Sequence, residues 1–155
     1  MRKILVSECL FGGRTVRYDG GDVPLTDPVF LGWKAEGRLV PICPEVFGGL
    51  PTPRPDAQRR NDKVVTRAGD DVTDAFMKGA REALRLAFEE DVCFCIMKAQ
   101  SPSCGGKLIY DGTFSGNKVP GNGLAAELLK EAGFVIFDET EMADAAALLF
   151  ELESV

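Results

Sequence analysis

Short apolar runs separated by amphipathic stretches set the pattern of this chain. Lys3–Ser7, Arg38–Ile42, Val92–Met97 and Phe134–Phe137 are mostly apolar, end at turn-forming residues and predict buried strands. From Thr73 to Glu89 the period changes. Val72, Phe76, Ala80, Leu84 and Phe88 recur every four residues, with Met77, Ala83 and Ala87 widening the stripe, which predicts a helix. Asp71 and Asp74 stand at its start, where a carboxylate satisfies free N–H groups. Pro28–Glu36, Gly123–Ala132 (closed by Gly133) and Glu139–Leu152, with Met142, Ala146 and Leu149 inward, predict further helices. Strand and helix alternate. The expectation is an α/β fold, a three-layer α/β/α sandwich around a mostly parallel sheet of four or five strands.

Two segments break this rhythm. Gly48–Asp70 carries Arg54, Arg59, Arg60, Lys63 and Arg67, and Gly105–Gly121 is rich in glycine. Long irregular segments in a compact domain are usually functional or disordered, and the functional reading is favoured here because each follows a cysteine. The basic cluster reads either as a solvated loop or as a receptor for phosphate. Gly121-Asn122-Gly123-Leu124-Ala125-Ala126 matches GxGxxA but follows a proline rather than a strand, so it reads as a loop and not a dinucleotide site.

With 155 residues the chain is expected to form a single domain over 1–155. The net charge of −6 argues against a general grip on nucleic acid, which requires Lys and Arg to neutralise phosphates. No run of about 20 apolar residues exists for a membrane helix, and Met1–Val6 enters a strand without a signal-peptide core, so a cytoplasmic protein is expected. Histidine is absent, which removes Ser-His-Asp and Cys-His catalysis and histidine-based zinc sites.

Five cysteines, an odd number in a chain too large to need disulfide staples, suggest reduced thiols. Cys93 and Cys95 alternate with Phe94 in mid-strand, so they are expected to share one face beneath a helix. Cys9, Cys43 and Cys104 each lie just past a strand-like run, where open α/β sheets bind ligands. Chemistry alone leaves three readings: a shared metal site, independent thiols, or a redox pair. A structural zinc site wants four ligands, usually in close-spaced pairs, whereas three thiolates suit an iron–sulfur cube that keeps one iron open as a Lewis acid. Glu45 and Ser101 lie close in sequence to Cys43 and Cys104. They read either as reactive groups beside such a metal or as a cap and a turn hydroxyl.

The order of motifs then becomes informative. Ser7-Glu8-Cys9-Leu10, Arg17-Tyr18-Asp19-Gly20, Cys43-Pro44-Glu45-Val46-Phe47-Gly48-Gly49-Leu50-Pro51-Thr52-Pro53-Arg54-Pro55, Asp71-Val72-Thr73, Ser101-Pro102-Ser103-Cys104-Gly105 and Tyr110-Asp111-Gly112-Thr113-Phe114-Ser115-Gly116 together resemble the thiouracil desulfidase family over nearly the whole chain. The resemblance implies a Rossmann-like domain holding a [4Fe–4S] cluster on Cys9, Cys43 and Cys104. It implies non-redox removal of sulfur from a thiolated pyrimidine as hydrogen sulfide, with Glu45 and Ser101 as the catalytic pair. Ser7, Arg17, Asp19, Arg54 and Ser103, within the matching motifs, are the expected substrate-binding residues. The expected partner is a small thiolated base or nucleoside; 4-thiouridine in transfer RNA is disfavoured by the acidic charge, and the working unit is a monomer or homodimer. Two departures stand out: Val16 occupies a place where some relatives carry a further cysteine, and Asp56-Ala57-Gln58 stands where relatives commonly end a segment in Glu.

Overall fold

In the computed structural model, which describes residues 1–154, the alternating pattern folds as the three-layer sandwich. In chain order the elements are β1 (Lys3–Ser7), α1 (Glu8–Phe11), α2 (Pro28–Ala35), β2 (Leu39–Ile42), α3 (Pro44–Phe47), β3 (Ala57–Arg60), β4 (Lys63–Thr66) and α4 (Thr73–Glu89). There follow β5 (Val92–Ile96), β6 (Leu108–Tyr110), β7 (Lys118–Pro120), α5 (Leu124–Glu131), β8 (Ile136–Phe137) and α6 (Met142–Glu153). The central sheet has the order β2-β1-β5-β8, with every pair parallel.

Both faces of this sheet are covered, as a parallel sheet requires. On one face Leu5, Cys95 and Met97 pack with Phe76, Ala80, Ala83 and Ala87 of α4 and with Leu124, Ala125 and Leu129 of α5. On the other, Ile4, Val6, Phe94 and Ile96 meet Phe30 and Trp33 of α2 and Met142, Ala145 and Leu149 of α6. Asp27 caps α2 by accepting from the N–H groups of Val29 and Phe30.

Three details depart from the sequence expectation. Phe88 is 60% exposed instead of buried, because a four-residue stride gains about 40° per step on a 3.6-residue helix. It rests instead on the edge of Phe134 at a centroid distance of 5.2 Å. Cys93 does not share the face of Cys95. A register shift between Lys3 and Ile4 leaves Cys93 opposite no β1 residue, so it packs with the Phe94 cluster and its thiol donates to the Lys3 carbonyl at 3.3 Å. The two long segments are not structureless. Each folds into an antiparallel hairpin, β3-β4 and β6-β7. No helix among the described residues is long and apolar enough to cross a membrane.

Candidate active site

Parallel pairing decides where the three cysteines go. β1 lies between β2 and β5, and Ser7 pairs in register with Ile42 as Val6 does with Ile96. All three strands therefore end at one sheet edge. Cys9 in α1, Cys43 at the start of α3 and Cys104 in the turn after β5 all line one cavity of about 380 Å³ there. The two hairpins complete it, contributing Ala57 and Gln58 from one and Tyr110 and Phe114 from the region of the other. Cys93 and Cys95 lie outside its wall.

Close backbone contacts hold the two loops that carry Cys43 and Cys104. α3 sits on α4 at Gly79, where an added Cβ would overlap the Pro44 carbonyl. The Cys104 turn is received by the N-terminus of α5: Leu124 N–H donates to the Pro102 carbonyl at 2.9 Å, and Ala125 and Ala126 N–H donate to Ser103 at 2.9 and 3.1 Å. This contact requires Gly123, since a side chain there would strike the Ser103–Cys104 peptide. The glycine of the apparent GxGxxA motif thus serves close packing.

Burial raises the pKa of all three thiols. Cys9 is pushed from 9.0 to about 12 by burial and then by the neighbouring Cys43 charge. Burial also raises Cys104, opposed by the Ser7 hydroxyl and reinforced by Cys9 and Cys43. Burial raises Cys43 as well, opposed by the backbone N–H of Val46. Cys9 feels Cys43, and Cys104 feels both, yet no group of three or more Cys, Asp or Glu among the described residues is placed to hold a single metal ion. Assembly of any metal group there must release thiol protons. In the metal-free chain a raised thiol pKa means that the folded state binds more protons than the unfolded state above about pH 9. Its stability is therefore fully present below that value and is lost as pH rises toward about 12. Melting of metal-free protein at pH 8 and pH 10.5 is expected to show the drop; an unchanged or higher melting temperature at pH 10.5 contradicts it.

A buried hydrogen-bonded chain runs beside the thiols. The Arg54 side chain is 4% exposed and donates through Nε to Glu45 Oε1 at 3.0 Å, while Glu45 is 14% exposed. Arg54 also donates to the carbonyls of Pro51 at 3.2 Å and Val16 at 2.8 Å and to Thr52 Oγ1 at 3.0 Å, so it holds Glu45 against two loops. Glu45 Oε2 accepts from Ser103 Oγ at 2.9 Å. Ser101 Oγ lies 2.9 Å from Ser103 Oγ and accepts from the N–H groups of Ser103 and Cys104, both at 3.1 Å. With the single Ser103 proton directed at Glu45, Ser101 donates to Ser103, and the row Ser101, Ser103, Glu45 points its protons at the carboxylate.

Of the expected site residues, Ser7, Arg17, Glu45, Arg54, Ser101 and Ser103 meet at this cavity. Ser7 is buried and accepts from Lys98 N–H at 2.8 Å. Asp19 lies outside the wall. It accepts from Gly21 N–H at 2.8 Å and pairs with Arg17 at 3.1 Å, the work of a turn residue. The basic cluster is dispersed, and only Arg54 and Arg67 of its five members line the cavity. Arg59 binds Glu127 and the Asn122 carbonyl, Arg60 binds the Gly112 carbonyl, and Arg54 is committed to Glu45. Arg67 lines the cavity over the Phe114 ring, 4.8 Å from its centroid. The sequence reading did not place Gln58, Tyr18, Tyr110 and Phe114 at the cavity: the tertiary folding of the hairpins brings Gln58, Tyr110 and Phe114 there, and the segment between α1 and α2, tied by Arg54 N–H to the Tyr18 carbonyl at 2.9 Å, brings Tyr18.

Comparison with known proteins places this arrangement. Residues 4–141 match the family described as 2-thiouracil desulfurase. This chain belongs to that family. It is 43% identical to a solved structure described as the [4Fe-4S]-dependent thiouracil desulfidase TudS, with a TM-score of 0.93 over 96% of this chain and 98% of that one. It is also 41% identical over 151 residues to YbbK of Bacillus subtilis (strain 168), described as uncharacterized, covering 91% of this chain and 98% of that one. This chain and each of these two relatives thus correspond over more than nine-tenths of their lengths.

Proposed function

We propose that this protein is an iron–sulfur-dependent thiopyrimidine desulfidase that converts C=S to C=O by hydrolysis, with 2-thiouracil as its representative substrate. One observation carries the reading: three thiols from distant parts of the chain line one cavity beside a carboxylate that Arg54 holds in place. Likeness to TudS over nearly the whole chain supports the same chemistry.

The donor set fits a [4Fe–4S] group on Cys9, Cys43 and Cys104. Cys104 feels the charges of both Cys9 and Cys43, and no group of three donors among the described residues is placed to hold a single ion. When bound, such a cluster supplies an iron without a protein thiolate, a Lewis acid suited to a soft thiocarbonyl sulfur. The chain's own residues do the rest. Glu45 accepts one proton from the water that attacks the C–S carbon and returns it as sulfur leaves as hydrosulfide, and the proton left on the added oxygen passes to solvent as C=O forms, so atoms balance without a redox partner. Ser103 and Ser101 keep Oε2 of Glu45 oriented. The exposed rim cations support a small neutral substrate over RNA: Arg17 faces Asp19 at 3.1 Å, Arg67 faces Asp56 at 3.6 Å, and Lys98 pairs with Glu139.

The test is anaerobic reconstitution with iron and sulfide, followed by incubation with 2-thiouracil. Stoichiometric uracil and hydrosulfide are expected. A fully iron-loaded protein that releases neither overturns the reading.

A further inference from the structure

Ser7 closes β1, lines the cavity and is 2% exposed. Parallel pairing with Ile42 fixes its backbone at the sheet edge where the three cysteines gather. Its Oγ accepts from the Lys98 N–H at 2.8 Å, which leaves the hydroxyl one proton to place. Two sulfur atoms of one buried cluster compete for that proton. One is Met97 Sδ, 3.8 Å away. The other is Cys104 Sγ, whose charged form the Ser7 hydroxyl stabilises by a hydrogen bond. A thioether is a weak neutral acceptor, whereas a thiolate is a charged one, and bonds to charged groups are the stronger. Once Cys104 gives up its proton to serve as a ligand, the Ser7 hydroxyl therefore belongs to Cys104. Ser103 Oγ also lies 3.6 Å from Cys104 Sγ, but its proton is directed at Glu45. Ser7 has no such second duty, and with its proton committed it has no donor left to offer a substrate.

We propose that Ser7 is a positioning residue of the metal group and not a substrate contact: its hydroxyl donates to the Cys104 sulfur and draws electron density from the iron that Cys104 holds. The assignment rests on the cluster reading given above and deepens it. A hydrogen bond to a ligand sulfur stabilises the negative charge that an added electron brings, so it raises the reduction potential of an iron–sulfur cluster. The same withdrawal of charge leaves the core a stronger Lewis acid toward a thiocarbonyl sulfur.

The experiment compares wild type, Ser7→Ala and Ser7→Thr, reconstituted without oxygen and matched for iron content. It measures the reduction potential of the cluster, turnover of 2-thiouracil and the dissociation constant of uracil. In Ser7→Ala the potential is expected to shift to more negative values and turnover to fall about tenfold, with uracil affinity within about twofold of wild type. Ser7→Thr keeps a hydroxyl and is expected to return the potential toward wild type. A wild-type potential in Ser7→Ala, whether or not uracil binds more weakly, overturns the assignment and leaves the desulfidase reading intact. A potential as low in Ser7→Thr as in Ser7→Ala traces the shift to packing and overturns it too. If neither variant takes up iron, a crystal structure of loaded wild type decides. Ser7 Oγ bonded to Cys104 Sγ is expected there, and Ser7 Oγ turned to Met97 or to a bound pyrimidine overturns the assignment. Wild type that assembles no cluster overturns the cluster reading and this assignment together.

Discussion

Glu45→Gln is expected to lower hydrosulfide release about 10²- to 10⁴-fold, the usual contribution of a positioned acid–base group. Iron content and melting temperature are expected to stay near wild type. The substitution is nearly isosteric, and its Oε1 still accepts from Arg54 Nε, which the native carboxylate meets at 3.0 Å. Its Nε2 then faces Ser103 Oγ, which can accept that bond and turn its own proton toward Cys104 Sγ, 3.6 Å away. The network therefore survives with one bond reversed, and what is lost is the ability to hold a proton. Anaerobic turnover assays with iron analysis on the same samples check this. A variant as fast as wild type would remove Glu45 from proton transfer.

Gly79→Ala is expected to lower stability and cluster loading together. The helix interior favours Ala over Gly by about 1 kcal/mol. Against this, the new methyl would occupy the space of the Pro44 carbonyl. Overpacking against a side chain costs about 1–3 kcal/mol, and a backbone atom that cannot rotate away places this site at the upper end. The net loss is about 2 kcal/mol, which for a chain of this size lowers the melting temperature by about 4–8 °C. Because Pro44 follows Cys43 and precedes Glu45, the displacement reaches the site itself. Reconstituted iron content is expected to fall at least twofold at temperatures where the variant remains folded. Full loading with an unchanged melting temperature would show that α3 has room the structure does not reveal.

The strands, the main helices and the convergence of three cysteines were legible because they follow from local pattern and one topological rule. Apolar runs of parallel-strand type end at a common edge, and residues just past those ends must meet. What stayed hidden depends on contacts between distant segments. β3 and β4 are rich in Arg and Lys and pair mainly with each other, so they lack the apolar signature of the central sheet. α1 and α3 span single turns, too short to show a period. The bulge that turns Cys93 away from Cys95 arises from the pairing of β5 with β1, which no alternation within β5 records. Arg54 was placed at the site, but its burial and its bond to Glu45 make it a positioning residue, since three of its nitrogens are already committed to the protein.

The gathering of Cys9, Cys43 and Cys104 around one metal group is tested most directly by iron and sulfide stoichiometry after anaerobic reconstitution of single-cysteine variants. Wild type, Cys93→Ser and Cys95→Ala are expected to hold about four irons per chain, and Cys9→Ser, Cys43→Ser and Cys104→Ser each to lose most of that iron. Full iron retained by any of the last three, or lost on replacing Cys93, would contradict the account.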